Sequence, residues 1–299
     1  MRSRVNRRPG RKAWAWMHEM GELFKAALDF VLPRHCIVCG CELGLKEKHL
    51  CLNCMADLPF TRNWAMLHNP MADEFNALLE RMQPGPPMAP EEGGRMVCGD
   101  APEEGGPGGR AGPRGPEPYA RAAALLFYSG DSPYSRIPQA LKYKGDIAAG
   151  RFFAGMLGRL MAEQPHWQDV DAVIPVPLHW RRKHARGYNQ AEVIAAELAK
   201  ALGARLYPHA LRRMRRTRSQ TSLSAADRLK NVSGVFELSS VRKIGRDESS
   251  NKLIVARHVV LVDDTFTTGA TLAACRQVLR EALGQDVLIS VATLAAVSK

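Results

Sequence analysis

The stretch His258-Val259-Val260-Leu261-Val262-Asp263-Asp264-Thr265-Phe266-Thr267-Thr268-Gly269-Ala270-Thr271 decides the fold class. Residues 259–262 are apolar without alternation, the pattern of a strand covered on both faces in a parallel sheet. Asp263 and Asp264 follow at the carboxyl end of that strand, where open α/β sheets bind ligands. Thr265, Thr267, Thr268, Gly269, Ala270 and Thr271 then make a hydroxyl-rich turn into a helix, whose unpaired first N–H groups form an anion site. Carboxylate acceptors for sugar hydroxyls beside a phosphate cradle describe a pocket for a ribose 5-phosphate. An acidic pair ahead of Thr-Thr-Gly-x-Thr is far more specific than a lone glycine motif. A plain strand and turn, with Asp as a cap, is the alternative.

Around this segment the texture from Tyr119 onward alternates between strand and helix. Strands are predicted at 122–128, 172–177, 253–263 and 287–295, and helices at 135–143, 148–164, 191–202 and 272–283. Such alternation implies βαβ units and a mostly parallel sheet flanked by helices. Upstream, residues 83–118 are dominated by Gly, Pro and Glu with almost nothing to bury, and read as a disordered insertion. Residues 1–32 combine a basic start with a stretch of helical apolar spacing at 14–32. The predicted division is therefore 1–32, a cysteine module with a short helical segment at 33–82, the insertion at 83–118, and an α/β domain at 119–299. The last of these is expected to fold and bind ligand by itself.

Five of the seven cysteines fall within 36–54. Cys36-x2-Cys39 and Cys51-x2-Cys54 are two knuckles, each able to present two thiolates to one ion, and together they complete a tetrahedral structural zinc site. Gly40 suits the tight turn of the first knuckle. Iron–sulfur binding is the lesser alternative. Cys41, His35 and His49 are possible substitute ligands but read better as ordinary neighbours, and Cys98 and Cys275 are given no chemistry.

Net charge is +12, from 42 Lys and Arg against 30 Asp and Glu, which favours polyanionic partners. The basic residues concentrate at 179–190 and 205–230. Aromatic residues within those segments are few, Trp180, Tyr188 and Tyr207, so base stacking has little sequence support. Apolar runs stay well short of the roughly 18 residues a membrane helix needs, and no secretory signal is evident. The chain reads as cytoplasmic, with no membrane insertion.

Three further segments join the opening one. They are Ile137-Pro138-Gln139-Ala140-Leu141-Lys142-Tyr143-Lys144-Gly145-Asp146; Asp171-Ala172-Val173-Ile174-Pro175-Val176-Pro177-Leu178 with Arg181-Arg182 and Arg186-Gly187-Tyr188-Asn189-Gln190; and Arg215-Arg216-Thr217-Arg218-Ser219-Gln220 with Arg228 and Asn231. With the cysteine module in front, the order resembles the ComF-like competence family, whose members carry a type I phosphoribosyltransferase domain.

The resemblance implies a ligand, phosphoribosyl pyrophosphate, bound with magnesium. It implies that Asp263 and Asp264 serve the ribose hydroxyls and the reacting centre, and that Thr267–Thr271 hold the 5-phosphate. Val176 and Pro177 would hold pyrophosphate with Arg181 and Arg182 beside them, Pro177 being a candidate for a cis bond. Arg215, Arg216 and Arg218 would belong to a basic lid. The implied activity is phosphoribosyl transfer to an unknown acceptor, in a protein linked to DNA uptake, with single-stranded DNA and competence proteins as partners. Thr267 departs from the purine-salvage pattern, in which that position is often an aspartate serving the base. Two alternatives stay open: a non-catalytic sensor of the same ligand, and a single-stranded DNA-binding factor.

Overall fold

The computed structural model describes residues 33–82, 118–214, 234–239 and 256–297. The predicted helix at 14–32, nearly all of the predicted insertion, and the lid arginines Arg215, Arg216 and Arg218 lie outside these residues.

Five parallel strands form the central sheet: β1 (Ala122–Tyr128), β2 (Ala172–Pro175), β3 (Arg205–Leu206), β6 (His258–Phe266) and β7 (Leu288–Val297), in the order β1-β7-β6-β2-β3. Two short strands, β4 (Leu211–Arg213) and β5 (Phe236–Leu238), pair antiparallel beside it. The α/β class is as the sequence predicts.

Helices cover both faces. On one face α2 (Pro70–Met82) and α7 (Ala270–Leu283) pack with Val259 and Leu261 of β6. On the other, α3 (Arg136–Tyr143), α4 (Ile147–Ala162) and α6 (Gln190–Leu202) pack with Val260 and Val262. Residues 259–262 have no exposed surface, which is why the strand needs no polar alternation. Gly158 in α4 lets that helix approach α6: a Cβ there would sit 2.7 Å from the Cβ of Ala201.

The chain reverses direction across the sheet between β2 and β6. From β2 it runs outward through α6 to β3, and from β6 the other way through α7 to β7. The carboxyl ends of β2 and β6 therefore flank a topological switch point, the place where such sheets open a crevice for ligands.

The amino-terminal residues are bonded into this body. Thr61 N–H donates to Leu125 O and Phe127 N–H to Pro59 O, closing an antiparallel bridge on the free edge of β1. Asn69 Nδ2 donates to Ala122 O at 3.0 Å, and its Oδ1 caps α2 at Ala72 N–H. The Asn76 side chain donates to Ala120 O and accepts from Ala120 N–H. Phe75, fully buried, meets Phe266 edge-on.

At the amino ends of the strands, His258 is held between Asp169 (Nδ1 to Oδ1, 2.8 Å) and Ser290 (Nε2 to Oγ, 2.8 Å), and Trp167 stacks on its ring. Its serine, histidine and aspartate resemble a hydrolytic triad, but Ser290 and His258 are buried, and they act as a staple. Burial holds His258 below the ordinary histidine range, outweighing the pull of Asp169. A histidine kept neutral by folding stabilises fully above its unfolded value of about 6.5 and loses that contribution as pH falls through the folded value. His258→Asn is expected to destabilise the protein by about 1–2 kcal/mol at pH 8. That deficit should narrow toward pH 5, as measured by paired thermal melts. A deficit independent of pH would contradict the assignment.

Candidate functional site

The turn after β6 and the start of α7 form a small, open cleft lined by Asp263, Thr265, Thr267, Thr268, Gly269, Ala270, Thr271 and Leu272. Gly269 has φ 71°, and a Cβ there would meet the Phe266 ring at 2.9 Å and Phe75 at 3.1 Å, so only glycine fits. Being glycine, it offers no side-chain cap, and the first N–H groups of a 14-residue helix face the cleft end uncapped. Aligned peptide dipoles add partial positive charge there.

The two aspartates part company. The sequence reading ended the strand at Asp263, but β6 continues to Phe266, so successive side chains point to opposite faces. Asp263 lines the cleft; its Oδ1 accepts from Asp264 N–H at 2.8 Å. Burial first, then the charge of Asp264, pushes its carboxyl up to about 7. A desolvated carboxyl in a cleft with a raised proton affinity is a place where a cation or a hydroxyl donor is favoured. Asp264 lies behind the strand, its two oxygens 3.3 and 3.1 Å from Lys142 Nζ of α3. Burial opposes the lysine's charge, yet Asp264 and Asp263 hold its pKa above the ordinary value.

The second wall is the turn after β2. Val176 N–H donates to Val262 O at 2.8 Å, which puts the turn beside the Asp pair. Asn189 Nδ2 donates to Val176 O at 3.0 Å while its Oδ1 caps α6, so one side chain fixes both loop and helix. The peptide before Pro177 is trans, like every other among the described residues, which corrects the cis expectation. A short helix, α5 (Trp180–Arg186), follows; the sequence reading missed it. Arg181 and Arg182 are exposed on it, and Arg181 lies over the Trp180 ring at 5.0 Å. Arg182 is close enough to depress the Arg213 guanidinium, after burial has done most of that, and Asp263 partly offsets the effect. Arg182 and Arg213 thus share the Asp263 side of the sheet. Asn189 sits at a helix start, a cue the sequence offered; Lys142 and Arg213 reach the site across long separations with no local signal.

The cysteine module is a second site. Sγ atoms of Cys36, Cys39, Cys51 and Cys54 all lie within 4.8 Å of one another, and none is in a disulfide. Four thiolates on zinc at about 2.3 Å stand roughly 3.8 Å apart, and Cys39 and Cys51 are already at 3.7 Å. Gly40 turns the first knuckle at φ 78°, and Cys51 caps α1 (Leu52–Ala56) through Sγ accepting from Cys54 N–H. Glu47 ties the loop between them to Gly44 and Leu52 N–H groups. The Cys39 thiol is lowered to about 6, by the Cys41 backbone first and then by neighbouring thiols. This donor set could hold a structural zinc ion. Cys41 Sγ is 3.3 Å from Cys39 but falls outside the four-sulfur group.

A 111-residue stretch is 36% identical to competence protein F of Haemophilus influenzae, covering 37% of this chain and 44% of that protein. A 110-residue stretch is 36% identical to the DNA utilization protein YhgH of Escherichia coli O6:H1, covering 36% and 43% respectively. These similarities, with the cysteine cluster, support the ComF-like resemblance. The matched stretch spans less than half the length of these curated relatives. No family model matches the sequence. Among the described residues, no helix is long and apolar enough to cross a membrane.

Proposed function

We propose that the cleft at the carboxyl ends of β2 and β6 binds phosphoribosyl pyrophosphate and supports transfer of its phosphoribosyl group to an acceptor. The chain would do so in the DNA utilization and competence roles that its relatives' names describe. The observation that carries this reading is one cleft holding both Asp263 and the uncapped start of α7 at the sheet's switch point. The N–H groups and hydroxyls of Thr267–Thr271 take the 5-phosphate. Asp263 accepts from a ribose hydroxyl, and Asp264 reaches the sugar only by leaving Lys142. The turn at Val176-Pro177, with Arg182 beyond it, receives pyrophosphate, and Arg181, Arg215, Arg216 and Arg218 are the remaining candidate contacts. Magnesium, when bound with the substrate, would neutralise the pyrophosphate, and Asp263 would be the cleft carboxylate available to it.

In the transfer, a bond forms between the acceptor nucleophile and C1 of ribose as the C1–oxygen bond to pyrophosphate breaks. Pyrophosphate leaves with the electron pair, and the acceptor's proton passes to solvent or to a base on the acceptor side. Developing positive charge at C1 is stabilised by Asp263, and the leaving charge by guanidinium groups.

A second reading, a sensor that binds the same ligand without turnover, is favoured by Thr267, exposed where salvage relatives often carry an aspartate. The two separate when protein, magnesium and phosphoribosyl pyrophosphate are incubated with candidate acceptors and pyrophosphate is measured. Acceptor-dependent release is expected. Calorimetric binding without release under any acceptor would establish the sensor, and no binding would remove both.

A further inference from the structure

We propose that α5 and the adjoining tip of α3 form a stacking platform for single-stranded nucleic acid beside the cleft. The proposal rests on the DNA-utilization half of the reading above and is independent of the sugar-phosphate half. Among the described tryptophans Trp64 and Trp167 are buried while Trp180 is 63% exposed, and Tyr143 is 72% exposed. Both exposed rings carry a guanidinium: Arg181 Cζ lies 5.0 Å from the Trp180 centroid, and Arg186 Cζ lies 5.5 Å from that of Tyr143. Arginine over an aromatic face adds positive charge at the ring, and His179 packs on Trp180 as well, at 5.7 Å between centroids. The sequence pointed away from stacking because Tyr143 comes from a different segment; the fold brings it to the basic helix.

Shape and charge select the partner. From Trp180 to Arg186 there is no acidic residue, and Arg182 is exposed between the two aromatic pairs. Trp180 and Arg186 stand about 9 Å apart along the axis of α5, a span that one or two unstacked nucleotides cover. A peptide partner would call for an aliphatic surround, and a duplex hides its base faces. Flat rings edged by guanidinium groups match bases and phosphates of a single strand. The placement also joins platform to cleft. Trp180 follows the turn that Asn189 ties down, and Arg182 of the same helix shares the Asp263 side, while Tyr143 follows Lys142, which pairs with Asp264 behind β6.

The test uses the full chain and a fluorescein-labelled oligothymidine of about 15 nucleotides, with anisotropy read across a salt series. Trp180→Ala and Tyr143→Ala should each weaken binding about 5- to 100-fold with the salt slope unchanged, because stacking and not charge is removed. Trp180→Phe should recover most of the affinity. Arg181→Ala combined with Arg182→Ala should flatten the slope by about 1.4. Calorimetry with phosphoribosyl pyrophosphate should give the wild-type affinity for both aromatic variants. Alanine variants that bind oligothymidine like wild type, a duplex that binds as tightly as the single strand, or equal loss of both ligands would overturn the platform. Absence of any oligonucleotide binding by the wild-type protein would overturn it together with the DNA-utilization reading, leaving the sugar-phosphate reading standing.

Discussion

Asp263→Asn will weaken phosphoribosyl pyrophosphate binding and at the same time stabilise the ligand-free protein at pH 8. The loss follows from removing the charged acceptor in the cleft, worth about 10- to 100-fold in affinity for a hydrogen bond to a charged group. The gain follows from the carboxyl's raised pKa, up to about 7 from an ordinary 3.8. A carboxyl whose folded pKa is raised favours the fold at low pH and works against it as pH climbs from about 4 through about 7. Asparagine keeps the oxygen that accepts from Asp264 N–H and removes the charge. Asp263 keeps a little exposure in the cleft, so the stabilisation should be discounted to about 1–2 kcal/mol at pH 8, vanishing near pH 4. Thermal melts of variant and wild type at both values check it. His258 acts with the opposite sign in the same window, so each effect is read as a difference between variant and wild type. Asp264→Asn should behave differently, because it leaves Lys142 half-buried without its partner. A ligand-free Asp263→Asn protein no more stable than wild type at pH 8 would refute the electrostatic account of the cleft.

Deleting everything before Tyr119 will leave a fragment that does not fold, contrary to the independent domain the sequence suggested. The deletion strips β1 of its edge partners at Pro59 and Thr61, and Ala120 and Ala122 of the amide bonds from Asn76 and Asn69. It also removes Met71, Phe75, Leu78 and Leu79 from one core cluster and Cys36, Val38, Leu50 and Leu58 from the other. Truncating one large buried aromatic costs about 3–5 kcal/mol, against a total domain stability of about 5–15 kcal/mol. In the full chain, Cys51→Ser is expected to release zinc and lower the melting temperature of the whole protein, because Cys51 and Cys36 share a cluster with Leu125 and Phe153. Metal analysis and a single-transition melt check this. A soluble fragment that melts cooperatively and binds ligand would show that the two parts are separable.

What the sequence made legible was contiguous. The strand, turn and helix start at 258–271, and the paired cysteines at 36–54, announce themselves because their chemistry depends on neighbours along the chain. Strand and helix positions followed from periodicity within a few residues. The rest depends on contacts with no local trace. Lys142 meets Asp264 across 122 residues, and a lone lysine in a helix carries no mark of its partner. The parting of Asp263 from Asp264 turned on where a strand ends, which the apolar run could not tell because β6 outlasts it. The strands β3, β4 and β5, of two or three residues each, are too short to show alternation. The platform required two distant segments to meet.

The position of β7 has a consequence for how the protein comes to exist in a cell. It lies between β1 and β6, so β1 has no strand neighbour in the main sheet until β7 is made. Arg121 and Ser290, which bond across that seam, are 169 residues apart. At about 5–20 residues per second, a ribosome needs roughly 10–30 s to cover that distance. Through that interval the alanine- and leucine-rich β1 would wait as an open edge, had the chain not already delivered its own partner. The bridge at Phe60, made earlier, can occupy one side of the strand from the moment β1 emerges. On this view the amino-terminal segment acts as a built-in chaperone during synthesis, shielding a nascent strand until the final one slots in beside it.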